Sequence, residues 1–313
     1  MVERTPRRVF LFPGQGAQYP GMALDFLTVS PAAKRLFETA SDCMGQNMET
    51  LLKEGNEETL KRTDIAQGAV TLANLASAAY LEEQGVRASG AAGHSLGEYA
   101  ALVSAGVLSA GDCLLLVTER GRIMQAACGR LAEGGAGMAA VLGLDPEQVD
   151  ALLSQWNIEH LYAANYNSRR QVVVSGSASA LAEAEKRFKE AGARRVLALK
   201  VAGPFHSPLM ADAAEEFAPF LAKVAFNDPR IPFYSNVSGK AALSGAGIKE
   251  LALKQITAPV RWIDEEETIA ASGADALFET GPGKTLQGLW KDTGSLLPCV
   301  GAGTVEEIDR MEA

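Results

Sequence analysis

The sequence predicts an α/β protein in two parts: a large domain on a parallel sheet, with a small βαββαβ domain inserted into it. Three observations predict it. A short apolar run, Val9–Phe12, breaks at Pro13-Gly14 into a glycine-rich loop, as a buried strand does. Gly93-His94-Ser95-Leu96-Gly97 stands between a strand pattern of small residues and a helical pattern, the strand–turn–helix order that a parallel sheet supplies. The stretch from Met138 to Val201 alternates patterns in the order β-α-β-β-α-β, a ferredoxin-like unit. A chain of 313 residues, 47% of them hydrophobic, can bury cores for both parts.

Taken in order, Val9–Phe12 is the first strand. Ser30–Met44 is helical, with Pro31 suited to a first turn, and the Ala-rich stretch Ile65–Gln84 is a helix stopped by Gly85. Arg87–Gly93 is a weak strand leading into the Ser95 turn. Helices follow to Ser104 and over Ala110–Ala127. Met138–Leu144 is a strand, and Asp145-Pro146-Glu147 starts a helix over 146–156. Tyr162–Tyr166 and Gln171–Ser175 are strands joined by the turn 167–170. Ala178–Ala191 is an amphipathic helix ended by Gly192, and Arg195–Val201 alternates as a strand. Late strands are predicted at Ala276–Thr280 and Leu297–Gly301. The large domain is therefore placed at 1–128 and 202–313, and the small one at 129–201.

Composition narrows the function. A net charge of −9 argues against a nucleic-acid partner, because phosphate binding needs surplus Lys and Arg. Cys43, Cys113, Cys128 and Cys299 are widely spaced with no paired histidines, so no metal site or redox dithiol is expected, and no cofactor is implied. The apolar run near the N-terminus is too short for a signal segment. No apolar stretch approaches the ~20 residues of a membrane span. The expected address is the cytoplasm.

The chemistry centres on Ser95. Gly93-x-Ser95-x-Gly97 matches the nucleophile elbow, in which a tight strand-to-helix turn lifts a serine hydroxyl clear of the backbone. This gives the large domain an α/β-hydrolase-like character. The Leu96 N–H and the following helix N-terminus can then stabilise a developing oxyanion. A serine nucleophile needs a base, and the chain has three histidines. His94 sits on the elbow itself and should diverge from the hydroxyl, in a capping or packing role. His160 precedes a strand at the edge of the small domain. His206 lies in a loop framed by Pro204 and Pro208, a rigid setting of the kind that carries catalytic groups. By elimination His206 is the candidate base. An ordinary loop histidine is the alternative.

Six runs, in order and spacing, resemble malonyl-CoA:acyl-carrier-protein transacylases. They are Phe12–Gly16 (FPGQG), Gly93–Glu98 (GHSLGE), Arg120–Gln125 (RGRIMQ), Asn165–Ser168 (NYNS), Gly203–Met210 (GPFHSPLM) and Glu279–Lys284 (ETGPGK). The resemblance implies Ser95 as nucleophile and His206 as general base and acid. It implies Leu96 and Gln15 as the oxyanion-hole N–H groups and Arg120 as the two-pronged partner of the malonyl carboxylate. It also implies that the Gln255 main-chain carbonyl orients the histidine, and that Asn165 and Asn167 line the cleft. The implied substrates are malonyl-CoA and holo-acyl carrier protein, in fatty acid biosynthesis. A free-standing polyketide-synthase acyltransferase, a serine thioesterase or other hydrolase, and a non-catalytic acyl-CoA-binding module are the competing readings. Lys186, Arg187, Lys189, Arg194 and Arg195 form a candidate patch for an acidic carrier. Arg169-Arg170 stands where many relatives have Pro-Gly.

Overall fold

The computed structural model describes residues 5–131 and 135–311. Its strands are β1 (Arg8–Phe12), β2 (Gly90–Gly93), β3 (Ala136–Leu142), β4 (Leu161–Ser168), β5 (Gln171–Ser177), β6 (Arg195–Ala198), β7 (Phe233–Ser235), β8 (Lys240–Ala242), β9 (Ala276–Glu279) and β10 (Cys299–Gly301). The larger sheet runs in the order β10-β9-β1-β2-β7-β8. It is parallel as far as β7, and β8 closes the edge antiparallel. β1 lies at its centre with Val9–Phe12 all buried, which is why it reads as a continuous apolar run rather than an alternating one.

The smaller sheet has the order β4-β5-β3-β6 and is antiparallel throughout. With helices Pro146–Trp156 and Ala178–Glu190 it is the expected ferredoxin-like unit. Its side chains alternate between two cores, as a period of two requires. Val141, Val172 and Val174 join Val149 and Phe188 under the two helices. Met138, Ala140 and Val173 face the other way and pack into the main core. A further link is a parallel bridge in which Tyr166 N–H donates to Val260 O and Val260 N–H to Ala164 O, both at 2.8 Å.

Local signals place the helices. Ser30 accepts the Ala33 N–H and Pro31 opens helix Pro31–Met44, which ends at Gly45 in the left-handed region. Asp145 and Gln148 form a complete capping box on helix Pro146–Trp156. Helix Thr63–Glu83 is buried along almost its whole length and packs on helix Ala110–Leu131. Four strands are shorter than their patterns, since β2, β6, β9 and β10 cover only parts of 87–93, 195–201, 276–280 and 297–301. Among the described residues no helix is long and apolar enough to cross a membrane.

Candidate active site

β2 ends in a turn that only glycine can make. A Cβ on Gly93 would lie 2.1 Å from the Gly97 carbonyl carbon, and one on Gly97 would lie 2.0 Å from Phe12 O. Ser95, between them, is held at φ +51°, a left-handed conformation that costs a non-glycine residue of order 1 kcal/mol. Hydrogen bonds on both sides hold it there. The Ser95 N–H donates to Asn236 Oδ1 at 2.7 Å, and the Ser95 carbonyl accepts from Gln255 Nε2 at 2.9 Å.

Ser95 Oγ lies 2.7 Å from His206 Nε2, and His206 Nδ1 lies 2.9 Å from the Gln255 carbonyl. A carbonyl can only accept, so Nδ1 carries the proton and Nε2 is left as acceptor for the serine hydroxyl. His206 is 4% exposed. Burial, aided by the nearby Arg120 cation, pushes it down to about 3, against the hydrogen bond to Gln255. The imidazole is therefore neutral, with Nε2 free to accept the serine hydrogen bond. His94 turns away, as its place on the elbow requires. Its Nε2 meets Asn167 Oδ1 at 2.8 Å and its ring meets the edge of Trp262. His160 is exposed beside Glu159.

The loop 13–16 closes over the elbow. A Cβ on Gly14 would lie 2.4 Å from His94 O, so the chain can approach this closely only with glycine there. That approach brings Gln15 into the same cavity as Leu96. Neither the Gln15 nor the Leu96 N–H has an acceptor among the described residues. Gln18 braces this loop, accepting the Gly16 N–H at 2.7 Å.

The cavity, about 120 Å³, is lined by Gln15, Ser95, Leu96, Arg120, Asn165, Asn167 and His206, with Gln67, Met124 and Phe205 among the other walls. Gln255 lies behind His206. The eight residues to which the resemblance gives a site role thus converge here, whereas His160 and the basic patch lie elsewhere. Arg120, on helix Ala110–Leu131, is 1% exposed. Its Nη1 donates to Gln67 Oε1 at 2.8 Å and its Nη2 to Gln255 Oε1 at 3.0 Å, while its Nε has no partner. Glu119 points elsewhere and pairs with Arg122.

Sequence reasoning missed Gln67, Asn236 and the polar layer beneath the elbow. Asn236 donates its N–H to Glu98 and its Nδ2 to Gly93 O and Glu265. Glu98 also accepts from Gln255 Nε2. Burial pushes the Glu98 carboxyl up to about 7, against the hydrogen bonds from Asn236 and Gln255. Glu265 is likewise raised well above the usual carboxylate range, by burial and by Glu98. Arg169 ties the β4–β5 turn to Glu267 at 2.6 Å. In the proposed carrier patch, Lys186, Arg187 and Lys189 each pair with a glutamate on their own helix. Arg194 and Arg195 have no ion pair among the described residues.

Comparison with known proteins agrees with this geometry. The acyl transferase domain family matches residues 9–308. A malonyl CoA-acyl carrier protein transacylase of Bacillus subtilis is 38% identical over 304 residues, 96% of this chain and 94% of its own. The crystal structure of an acyl carrier protein S-malonyltransferase from Vibrio cholerae superimposes with a TM-score of 0.92 at 37% identity, covering 97% of this chain and 99% of its own. A malonyl-transacylase solved in complex with its type II polyketide-synthase acyl-carrier protein gives 0.91 at 36% identity, covering 97% and 98%.

Proposed function

The chain belongs to the acyl transferase family, among its malonyl-CoA:acyl-carrier-protein transacylases, and from that premise we propose a ping-pong transfer through a malonyl-Ser95 ester. His206 Nε2 takes the Ser95 proton as Oγ attacks the thioester carbonyl of malonyl-CoA. The oxyanion is held by the Gln15 and Leu96 N–H groups. Collapse expels the CoA sulfur, which leaves as the thiol with the proton from Nε2. The phosphopantetheine thiol of the carrier then gives its proton to Nε2 and attacks the ester, and Ser95 leaves with that proton restored. The Gln255 carbonyl keeps Nδ1–H in place throughout. Asn165 and Asn167 form the small-domain wall of the cleft, and residues 129–201 form that domain. The reaction belongs to fatty acid biosynthesis in the cytoplasm.

One observation carries the reading. A fully buried guanidinium, hydrogen-bonded only to neutral amides, shares a small cavity with an aligned serine–histidine pair. Glu98 acts on this cation without a direct ion pair, so the cavity face of the guanidinium is open to an anion from outside, and the malonyl carboxylate supplies one that a neutral acyl group lacks.

The test is intact-mass measurement after mixing with malonyl-CoA. A single malonyl adduct should map to Ser95, discharge onto holo-acyl carrier protein, and be absent in Ser95→Ala. An adduct of normal stoichiometry on Ser95→Ala would refute the assignment. A polyketide carrier is the second reading, favoured by the similarity to the transacylase solved with such a carrier. Parallel transfer to the two carrier types decides between them.

A further inference from the structure

Arg120 is held by two side-chain oxygens, and the one contributed by Gln67 comes from a different helix, 53 residues away in sequence. Gln67 is 1% exposed and sits on helix Thr63–Glu83, which is almost wholly buried. That helix can approach Arg120 because the next residue is Gly121. A Cβ there would lie 3.0 Å from Thr63 O and 3.2 Å from Gln67 Cβ. The Gln67 amide is fixed at its other end as well, where Nε2 meets Met124 Sδ at 3.4 Å, one turn beyond Arg120. Gln67 also lines the cavity that contains Ser95.

We propose that Gln67 is a specificity-determining residue, orienting the Arg120 guanidinium toward an acyl carboxylate without adding a negative charge beside it. The guanidinium already feels the negative charge of Glu98, and Gln67 adds none to that. The inference rests on the reading of Arg120 as the carboxylate partner. An amide oxygen accepts one guanidinium N–H and so fixes the plane of the fork. It carries no net charge, so the cation's field in the cavity is preserved. A glutamate of almost the same shape would accept the same hydrogen bond and neutralise that field. A bound malonyl carboxylate would then compete with a fixed counter-ion and be repelled by it at close range. Gln255 Oε1 fixes the second amine in the same neutral way. Together the two amides make Arg120 a receptor for anionic acyl chains rather than one half of an internal ion pair.

The experiment compares acylation of Ser95 by malonyl-CoA and acetyl-CoA, followed by intact mass, in the wild type, Gln67→Glu and Gln67→Met. The readout is the ratio of the two second-order rate constants. In Gln67→Glu the malonyl-to-acetyl ratio should fall by about 10- to 100-fold, the range of one hydrogen bond to a charged group. Gln67→Met loses the acceptor without adding charge, so its ratio should fall less, about tenfold or under. An unchanged ratio in Gln67→Glu overturns the proposal. So does an equal loss of both acylations in a folded variant, which would mark Gln67 as merely structural. If Gln67→Glu does not fold, an unchanged ratio in Gln67→Met overturns it alone. A wild type that forms neither adduct refutes the serine chemistry itself, a failure distinct from the loss of selectivity.

Discussion

Replacing Gly93 with alanine would push a methyl group into the tightest turn of the molecule. The added Cβ would sit 2.1 Å from the Gly97 carbonyl carbon, 2.2 Å from its oxygen and 2.4 Å from Glu98 N, all of them backbone. Cβ contacts under 3.0 Å essentially do not occur, so the strand end and the helix start must separate by about 0.9 Å, the difference 3.0 − 2.1. Ser95 lies between those two backbones, so the displacement falls on its hydroxyl and on the Leu96 N–H. A misplacement of ~1 Å in a reacting group costs ~100-fold in rate, about 2.7 kcal/mol of barrier. Overpacking adds a stability loss of about 1–3 kcal/mol. The assay is quenched-flow acylation by malonyl-CoA with intact-mass readout, alongside thermal melting. Gly129→Ala is the control: its Cβ would meet nothing within 4 Å on helix Ala110–Leu131, so it should leave acylation unchanged and stabilise by about 0.5–1 kcal/mol. Gly93→Ala acylating within about threefold of the wild type would refute the claim that this contact sets the nucleophile.

His206→Ala should slow acylation by about two to four orders of magnitude in the same assay, the usual loss for a general base. The wild-type imidazole, with its pKa pushed down to about 3 by burial and Arg120, should show no titration between pH 5 and 8 in nitrogen-15 spectra of labelled protein. A midpoint in that range would contradict the neutral pair. Because the folded state takes up this proton only near pH 3 while the unfolded chain does so near 6.5, the unfolded state binds more protons between those values. This residue therefore lowers stability as pH falls through that window, an effect that pH-dependent urea melts of wild type against His206→Asn would resolve. Arg120→Ala should lower the malonyl-to-acetyl rate ratio by two orders of magnitude or more, from the loss of two charged hydrogen bonds at ~1.5–3 kcal/mol each. A retained ratio would move carboxylate recognition elsewhere. Charge reversal at Arg194 and Arg195, whose helix neighbours Lys186, Arg187 and Lys189 are already paired, should slow transfer to the carrier at low salt without altering acylation by malonyl-CoA. Equal carrier rates would exclude this surface.

The site was legible wherever its chemistry is local in sequence. The elbow requires two glycines and a serine within five residues, and the steric reason for each is visible at Gly93 and Gly97. The βαββαβ unit was legible because its turns, caps and alternating strands all carry short-range signals, down to the Asp145–Gln148 capping box. In the late part of the large domain β9 and β10 were legible as apolar runs, but β7 and β8 were not. β7 and β8 are three residues each, too short for alternation to register, and their pairing is set by neighbours far along the chain. Asn236 follows β7 and joins Gly93, Ser95, Glu98 and Glu265 across separations of up to 143 residues, and no periodicity encodes such a junction.

Gln67 is the instructive case, because a signal for it did exist. On the otherwise apolar helix Thr63–Glu83, Gln67, Thr71, Asn74 and Ser77 recur at steps of four, three and three, and all are buried. That spacing draws one polar stripe along a helix too hydrophobic to lie at the surface. Buried polar groups generally need partners of their own, and Gln67, Asn74 and Ser77 find them, whereas Thr71 Oγ1 has none among the described residues. Asn74 Nδ2 donates to Pro13 O at 2.9 Å, holding the loop that presents Gln15. Ser77 donates to Ala302 O, and Gln67 accepts from Arg120. The partners are main-chain carbonyls, one guanidinium and one thioether from elements remote in sequence, so the stripe predicts that contacts exist without saying with what. The same helix therefore holds the loop that carries Gln15 at one point and the Arg120 guanidinium two turns away. A substitution at Asn74 should disturb Gln15 and leave acyl selectivity alone, whereas one at Gln67 should do the reverse.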